Sequence, residues 1–180
     1  LGYRSRAAFK LIELNKKYKF LKSDTNLLDV GAYPGGWTQV CSSIIKIGKI
    51  LAIDKKKMDK IKNVSFLQSD FLDRSIKEKI LKYFNKNLDV VLSDMASDTT
   101  GNKSLDCIRT NELCSEVLNF SSKILKPNGV LVSKLFMGED FLEVKKLAES
   151  KFKKVNFFKP EASRGKSKET YLHCTSLKTL

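Results

Sequence analysis

LLDVGAYPGGWTQV, Leu27 to Val40, is the stretch on which the reading of this chain turns. Leu27–Val30 is an apolar run of strand length that stops at a glycine, and a helical pattern resumes past Gly35 and Gly36. That is the pattern of a buried parallel strand feeding a tight turn at Gly31, where no side chain obstructs a ligand, with Gly35 and Gly36 allowing close approach to the next helix. Such a turn calls for an acidic residue at the end of the second strand, where a carboxylate accepts both hydroxyls of a ribose. ILAID supplies Asp54, 23 positions after Gly31, against an expected spacing of about 20. The turn is G-x-x-x-G-G with a proline inside it, not G-x-G-x-x-G. Pro34 removes an amide donor and the spacing is wrong for cradling a pyrophosphate. This argues against a dinucleotide-dependent oxidoreductase and for an adenosine ligand without phosphates, of which S-adenosylmethionine is one. The plain alternative is a strand–turn–helix joint whose glycines serve packing alone.

At 180 residues the chain suits a single domain, 1–180, with a real core, and is too short for two of ordinary size. A net charge of +14 and a pI near 9.6 point to a polyanionic partner, nucleic acid first. Lysines outnumber arginines 29 to 5, which biased codon usage also produces, so the placement of the arginines is more telling. Arg4, Arg6 and Arg164 lie beside the motifs described below, and arginine is the better bidentate phosphate clamp.

Cys41, Cys107, Cys114 and Cys174 show no C-x-x-C pair and no zinc spacing, so buried reduced thiols are expected and neither a disulfide framework nor a metal site. His173, the single histidine, falls inside YLHCTSL, a strand pattern, and reads as a core or solvated imidazole. No apolar run approaches the ~18 residues of a membrane span and there is no signal-peptide pattern, so the expectation is a soluble intracellular protein, with nothing that requires more than a monomer.

Arg4 to Tyr18 carries Ala8, Phe9, Leu11, Ile12 and Leu14 at helical spacing, with basic residues on the other side. Short apolar strands then alternate with helical patterns: Leu27–Val30, Ile50–Ile53, Val64–Leu67, Leu88–Leu92 and Val130–Leu135, separated by segments near 36–47, 75–84, 105–124 and 139–151. The βα alternation predicts a parallel sheet covered on both faces. Lys154–Phe158 and Thr170–Ser176, joined by the turn-rich PEASRGKSK, read as a closing hairpin.

In open α/β sheets ligands sit at the carboxyl ends of the strands. Here those ends are polar: Gly31, Asp54, Asp70 in QSDFLD, Asp94 in LDVVLSDMA, and Lys134 in GVLVSKLF. An ammonium in an apolar strand must be paired, neutral or able to reach water. Asp94, at the end of the neighbouring strand, is a partner in contact range; a desolvated lysine can serve as a general base, while nearby carboxylates hold its proton on. Asp94 also suits a strand-end turn. Asp70 either accepts from an adenine amino group or caps a helix starting near Leu72. Lys55–Lys57 reads as a solvated loop at the pocket mouth.

Taken together, YRSRAAFKL (3–11), DVGAYPGGWTQ (29–39), LSDMA (92–96), VSKLF (132–136) and KPEASRGKSKETYL (159–172) resemble the FtsJ/RrmJ family of RNA ribose 2′-O-methyltransferases, from end to end and in order. The resemblance implies a Rossmann-like, S-adenosylmethionine-dependent α/β fold: a seven-stranded, mostly parallel sheet with an antiparallel last strand and helices on both faces. It places Lys10, Asp94, Lys134 and Glu169 on the family's Lys-Asp-Lys-Glu tetrad, with Lys134 as base. Gly35, Trp37, Asp54, Asp70 and Asp94 fall on positions that hold S-adenosylmethionine. Taken alone, Lys10 is a solvated helix lysine and Glu169 a polar residue before an edge strand. Many relatives have proline after SDMA where this chain has Ser97, so the acceptor-side loop is expected to differ. Within the family the closest likeness is to enzymes acting on a uridine ribose of large-subunit ribosomal RNA, in a bacterial cytoplasm or an organelle such as the mitochondrion. Members acting on the tRNA anticodon loop come next, and a non-catalytic RNA-binding module is the alternative from another class. Arg4, Arg6, Arg164, Lys166 and Lys168 are the candidate RNA contacts, through phosphates, with an assembled large ribosomal subunit as the implied partner.

Overall fold

The computed structural model describes residues 2–163 and 165–179. Strands β1 (Leu27–Val30), β2 (Ile50–Asp54), β3 (Val64–Gln68), β4 (Leu88–Ser93), β5 (Leu125–Phe136), β6 (Phe152–Phe158) and β7 (Glu169–Leu177) form one sheet in the order β3-β2-β1-β4-β5-β7-β6. The pairs from β3 across to β5 are parallel, while β7 runs antiparallel to both β5 and β6. The closing hairpin is present, but its second strand is the one inserted against β5.

Helices α1 (Ala7–Tyr18) and α2 (Gly36–Ile44) cover one face; α3 (Arg74–Phe84), α4 (Lys103–Ile124) and α5 (Phe141–Lys151) cover the other. The period-2 alternation of each strand explains how both faces are served. Leu28 and Val30 of β1 pack with Ile76, Ile80, Val117 and Leu118, whereas Leu27 joins Leu11, Leu14, Val40 and Ile45. In α1 only Ala8, Leu11 and Leu14 are buried; Phe9, 52 % exposed, and Ile12 face outward, so the apolar stripe read from the sequence is wider than the one the core uses. Helix α3 begins within a residue of the expected start, and Asp73, not Asp70, is its N-cap, accepting from Ser75 N at 3.0 Å. His173 is buried and stacked on Tyr18 at 3.8 Å, with burial pushing its pKa down to about 4. It is a neutral core imidazole. Cys41, Cys114 and Cys174 are buried free thiols, while Cys107 is half-buried.

The parallel register places the site. Val30 pairs with Ile53 and Ser93, and Ser93 with Ser133. One step further along each strand, Asp54, Gly31, Asp94 and Lys134 therefore fall in a single row at the carboxyl edge. The row continues into β7, where Lys134 pairs with Tyr171.

Candidate active site

Three clefts that share Ala96 open along this edge, and two of them bear on the reading of the site. The smaller, about 280 Å³, is lined by Gly31, Tyr33, Asp54, Asp70, Asp94 and Met95 among others. Gly31 has φ +69, and a Cβ there would stand 2.2 Å from Met95 Cγ, so glycine both suits the left-handed turn and lets the Met95 side chain lie against it. Asp54 is fixed by its own loops, Oδ2 accepting from Tyr33 N at 2.9 Å and Oδ1 from Lys56 N at 2.8 Å. Asp70 accepts from Leu72 N at 2.9 Å and lies 3.5 Å from Lys55 Nζ; it is a turn residue with its carboxylate on the cleft. Lys55 and Lys56 are exposed at the mouth.

Gly35, Gly36 and Trp37 stand apart from this lining. A Cβ on Gly36 would meet Ser5 Oγ at 2.3 Å, and one on Gly35 would lie 3.1 Å from Arg4 Nη1, so these glycines admit the segment leading into α1. Trp37 is buried, its Nε1 donating to Ala7 O at 2.7 Å, and its indole anchors α1 to α2. The Trp37 side chain is thus taken up in packing. Its main-chain N–H, in the uncapped first turn of α2, is the group left for a ligand.

On the other side of Asp94 the tetrad residues converge. Lys134 Nζ is 3.3 Å from Asp94 Oδ1 and 3.6 Å from Glu169 Oε2, and Lys10 Nζ is 2.7 Å from Glu169 Oε1. Only 11 % of the Lys134 side chain is exposed. Lys10 comes from the second turn of α1, Asp94 and Lys134 from adjacent strand ends, and Glu169 from the first residue of β7. Two residues the sequence reading passed over complete the cluster. The Tyr171 hydroxyl donates to Asp94 Oδ1 at 2.6 Å and lies 3.0 Å from Glu169 Oε1, and Ser163 Oγ donates to Glu169 Oε1 at 3.3 Å. Tyr171 was legible in principle, since residues two apart on a strand share a face with Glu169.

The electrostatics follow from two ammoniums and two carboxylates withdrawn from water. Burial works to lower the Lys134 pKa, but Asp94 and Glu169 outweigh it and hold the ammonium above its ordinary value. Burial raises Asp94 in spite of Lys134 and the Tyr171 hydroxyl, whereas in Glu169 the upward push of burial is overcome by Lys134 and Lys10, leaving its carboxyl below the usual range. Beneath the smaller cleft, Asp29 is fully buried with Thr38 Oγ1 donating at 2.6 Å, and desolvation pushes its pKa up to about 7.

Of the expected RNA contacts, Arg4 is spent within the fold: Nη1 donates to Pro34 O and Asp59 O at 3.3 and 2.9 Å, and Nη2 to Lys60 O at 3.0 Å. Arg6, Lys166 and Lys168 are exposed, and Arg164 lies outside the described residues. Ser97, at the position where proline was expected, donates its N–H to Thr110 Oγ1 at 3.1 Å and its hydroxyl to Asp106 O at 3.2 Å. Proline has no N–H to offer here, so this chain ties its loop to α4 by hydrogen bonds instead. Among the described residues no His, Cys, Asp and Glu group could hold a metal ion, and no helix is long and apolar enough to cross a membrane.

The FtsJ-like methyltransferase family matches residues 3–177. The chain belongs to that family. As an FtsJ-like methyltransferase it is 44 % identical over 177 residues to the ribosomal RNA large subunit methyltransferase E of Pelagibacter ubique, covering 98 % of this chain and 87 % of that protein. The protein of the same name from Rickettsia akari is 42 % identical, with 95 % and 78 % covered. A crystal structure described as a ribosomal RNA methyltransferase of Plasmodium falciparum superposes on this FtsJ-like methyltransferase with a TM-score of 0.86 at 35 % identity, covering 97 % of this chain and 98 % of that one.

Proposed function

We propose that residues 1–180 act as one catalytic domain that transfers a methyl group from S-adenosylmethionine to a ribose 2′-hydroxyl of large-subunit ribosomal RNA, a uridine by the closest family likeness. The observation that carries this reading is Lys134, sunk between Glu169 and Asp94, with Asp94 itself on the lining of the smaller cleft. The residues fit the cofactor: Asp54 is positioned to accept from ribose hydroxyls, Asp70 is on the same lining, and Gly31 leaves room beside Met95. When bound, S-adenosylmethionine supplies the methyl group as an electrophilic sulfonium.

A ribose hydroxyl is a weak nucleophile at neutral pH, so its proton must be removed while its oxygen is held in line with the methyl group. Lys134 is the base in this reading, and it acts from the fraction that has lost its proton. Lys10, paired with Glu169, adds a second positive charge near it, and Asp94, Glu169 and Tyr171 orient the amine. Positive charge in the adjoining cleft and exclusion of water both move Lys134 toward its neutral form. Exposed basic residues, Arg6, Lys166 and Lys168, serve the RNA backbone. Ribosomal RNA of this kind is made in a bacterial cytoplasm or, in a eukaryote, in an organelle, which is the compartment this reading implies; the protein acts as a monomer on the large subunit.

The test uses S-adenosylmethionine labelled in the methyl group, with undermethylated large subunits and with transfer RNA as acceptors. The unaltered protein labels ribosomal RNA at a 2′-oxygen; Lys134→Ala binds the cofactor by calorimetry and transfers nothing. Undiminished transfer by Lys134→Ala rejects the base. Labelling of transfer RNA alone moves the substrate to the anticodon-loop reading, and absence of cofactor affinity moves the protein to the non-catalytic one.

A further inference from the structure

The second cleft on the carboxyl edge, about 680 Å³, is not used by the cofactor reading. It lies between the loop after β4, the first turns of α4, the end of β5 and the β6–β7 connection. Its position relative to the tetrad is set by the chain: Ala96 is two residues past Asp94, Phe136 two past Lys134, and Lys168 directly precedes Glu169. Ala96 is common to both clefts, so they adjoin two residues past Asp94. The floor is apolar, with Phe136, Ile108 and Cys107; on the rim Lys103, Lys166 and Lys168 outnumber Glu139 and Asp106, the latter already accepting from Thr100. A wall of this cleft is the segment that Ser97 pins to Thr110 and Asp106.

An acceptor ribose must come within hydrogen-bond reach of Lys134 Nζ, yet that side chain is only 11 % exposed. A ribose kept inside an A-form helix presents its 2′-hydroxyl on a broad, shallow groove and carries both neighbouring base pairs with it. It does not fit a recessed amine. An unstacked nucleotide does, provided its base has somewhere to go.

On the ribose methyltransferase reading, we infer that this cleft is the receptor for the acceptor nucleobase, which leaves its stack and lies on Phe136, Ile108 and Cys107 while Lys103, Lys166 and Lys168 take the flanking phosphates. An apolar floor supplies stacking surface, and a basic rim holds a backbone that is locally distorted. The step is non-covalent, and the adenosine cleft plays no part in it.

Cys107 makes the inference testable, because it is half-buried in this floor while Cys41, Cys114 and Cys174 are buried. A Cβ on Gly138 would touch Cys107 Cβ and Asp140 Oδ1, each at 3.6 Å, so at this side of Cys107 the cleft wall is a bare glycine. The protein is treated with N-ethylmaleimide with and without saturating acceptor ribosomal RNA, and the Cys107 adduct is followed by mass spectrometry. Expected results are at least tenfold slower alkylation in the presence of RNA and, for the adduct, at least a tenfold loss of methyl transfer with S-adenosylmethionine affinity unchanged. In Cys107→Ser, the rate of transfer, whatever its level, is the same before and after treatment with the reagent. Ser104→Trp, at an exposed position on the cleft, raises the KM for RNA at least tenfold without changing cofactor affinity. If the unmodified protein methylates ribose normally while RNA fails to protect Cys107, or the adduct transfers at full rate, the base receptor is overturned and the activity stands. If no ribose is methylated at all, the underlying reading falls and takes this inference with it.

Discussion

Asp94 and Lys134 are neighbours across the β4–β5 pair, one step beyond the Ser93–Ser133 pairing, with Nζ and Oδ1 3.3 Å apart. Parallel register, not loop geometry, sets this contact, so the two side chains are held on the rigid edge of the sheet. Both are largely buried, and each lies among the causes that set the charge of the other.

The resting protein holds Lys134 as an ammonium, with Asp94 and Glu169 keeping its pKa above the ordinary lysine value. A base that works from a minor neutral fraction gains about tenfold in that fraction per pH unit below its pKa. Methyl transfer at saturating substrate is therefore expected to climb with unit slope from pH 7 upward. Lys134→Arg, which keeps the charge but does not deprotonate, should lower kcat by about 10²–10⁴-fold with cofactor affinity retained. A pH-independent rate between pH 6 and 9 contradicts the assignment.

Tyr171→Phe removes the hydroxyl that favours the ionised form of Asp94. Asp94 then moves further up, pulls less strongly on the Lys134 proton, and the alkaline limb of the rate profile shifts to lower pH. A merely structural tyrosine leaves the limb where it was and changes only the melting temperature. Loss of one hydrogen bond to a charged, buried acceptor should also cost about 1–3 kcal/mol, measurable by urea unfolding.

Burial pushes the Asp29 carboxyl up to about 7 from an ordinary value of 3.8. Its contribution to stability is complete below pH 3.8 and is lost as pH rises toward about 7, since the unfolded chain gives up this proton first. The slope is at most about 1.4 kcal/mol per pH unit. Asp29→Asn, which keeps an acceptor for Thr38 Oγ1, should remove this component. The difference in unfolding free energy between the variant and the unaltered protein is expected to move in the variant's favour from pH 4 to pH 7 and to level off above; parallel curves refute the assignment.

Arg4 separates a structural from an RNA-binding role. With its guanidinium on Pro34 O, Asp59 O and Lys60 O, Arg4→Ala should destabilise the fold by about 1–3 kcal/mol and weaken cofactor binding through the loop that follows β1. A variant with unchanged melting temperature and cofactor affinity but reduced RNA binding would return Arg4 to the RNA surface.

Much of this architecture was already visible in the order of residues. Hydrophobic period and punctuation are local properties, so β1 is found at its read bounds, and β2 through β4 and β7 within one residue at either end. The strand ends carrying Gly31, Asp54, Asp94 and Lys134 followed, because a βαβ order brings carboxyl ends to one edge. Less visible was what each polar residue would meet. Trp37, Gly35 and Gly36 sit in the glycine motif yet face the α1 entry, since the direction a side chain takes depends on what packs above the helix. Arg4 likewise met three carbonyls that no spacing announces. The start of β5 was read at Val130 and is found at Leu125, because KPNG interrupts the apolar run while the ladder to β4 continues through a register shift.

Sequence by itself determined the βα succession, the cleft-forming glycine at position 31 and the acidic and basic residues that end the strands, for these depend on contacts only a few residues apart. Tertiary structure alone decided that β7 enters between β5 and β6, which sets Glu169 and Tyr171 against Lys134, and that α1 lies where Lys10 reaches Glu169 across 159 positions. It also decided the charge state of the cluster, because desolvation and ion pairing exist only once distant segments have closed around the same few atoms.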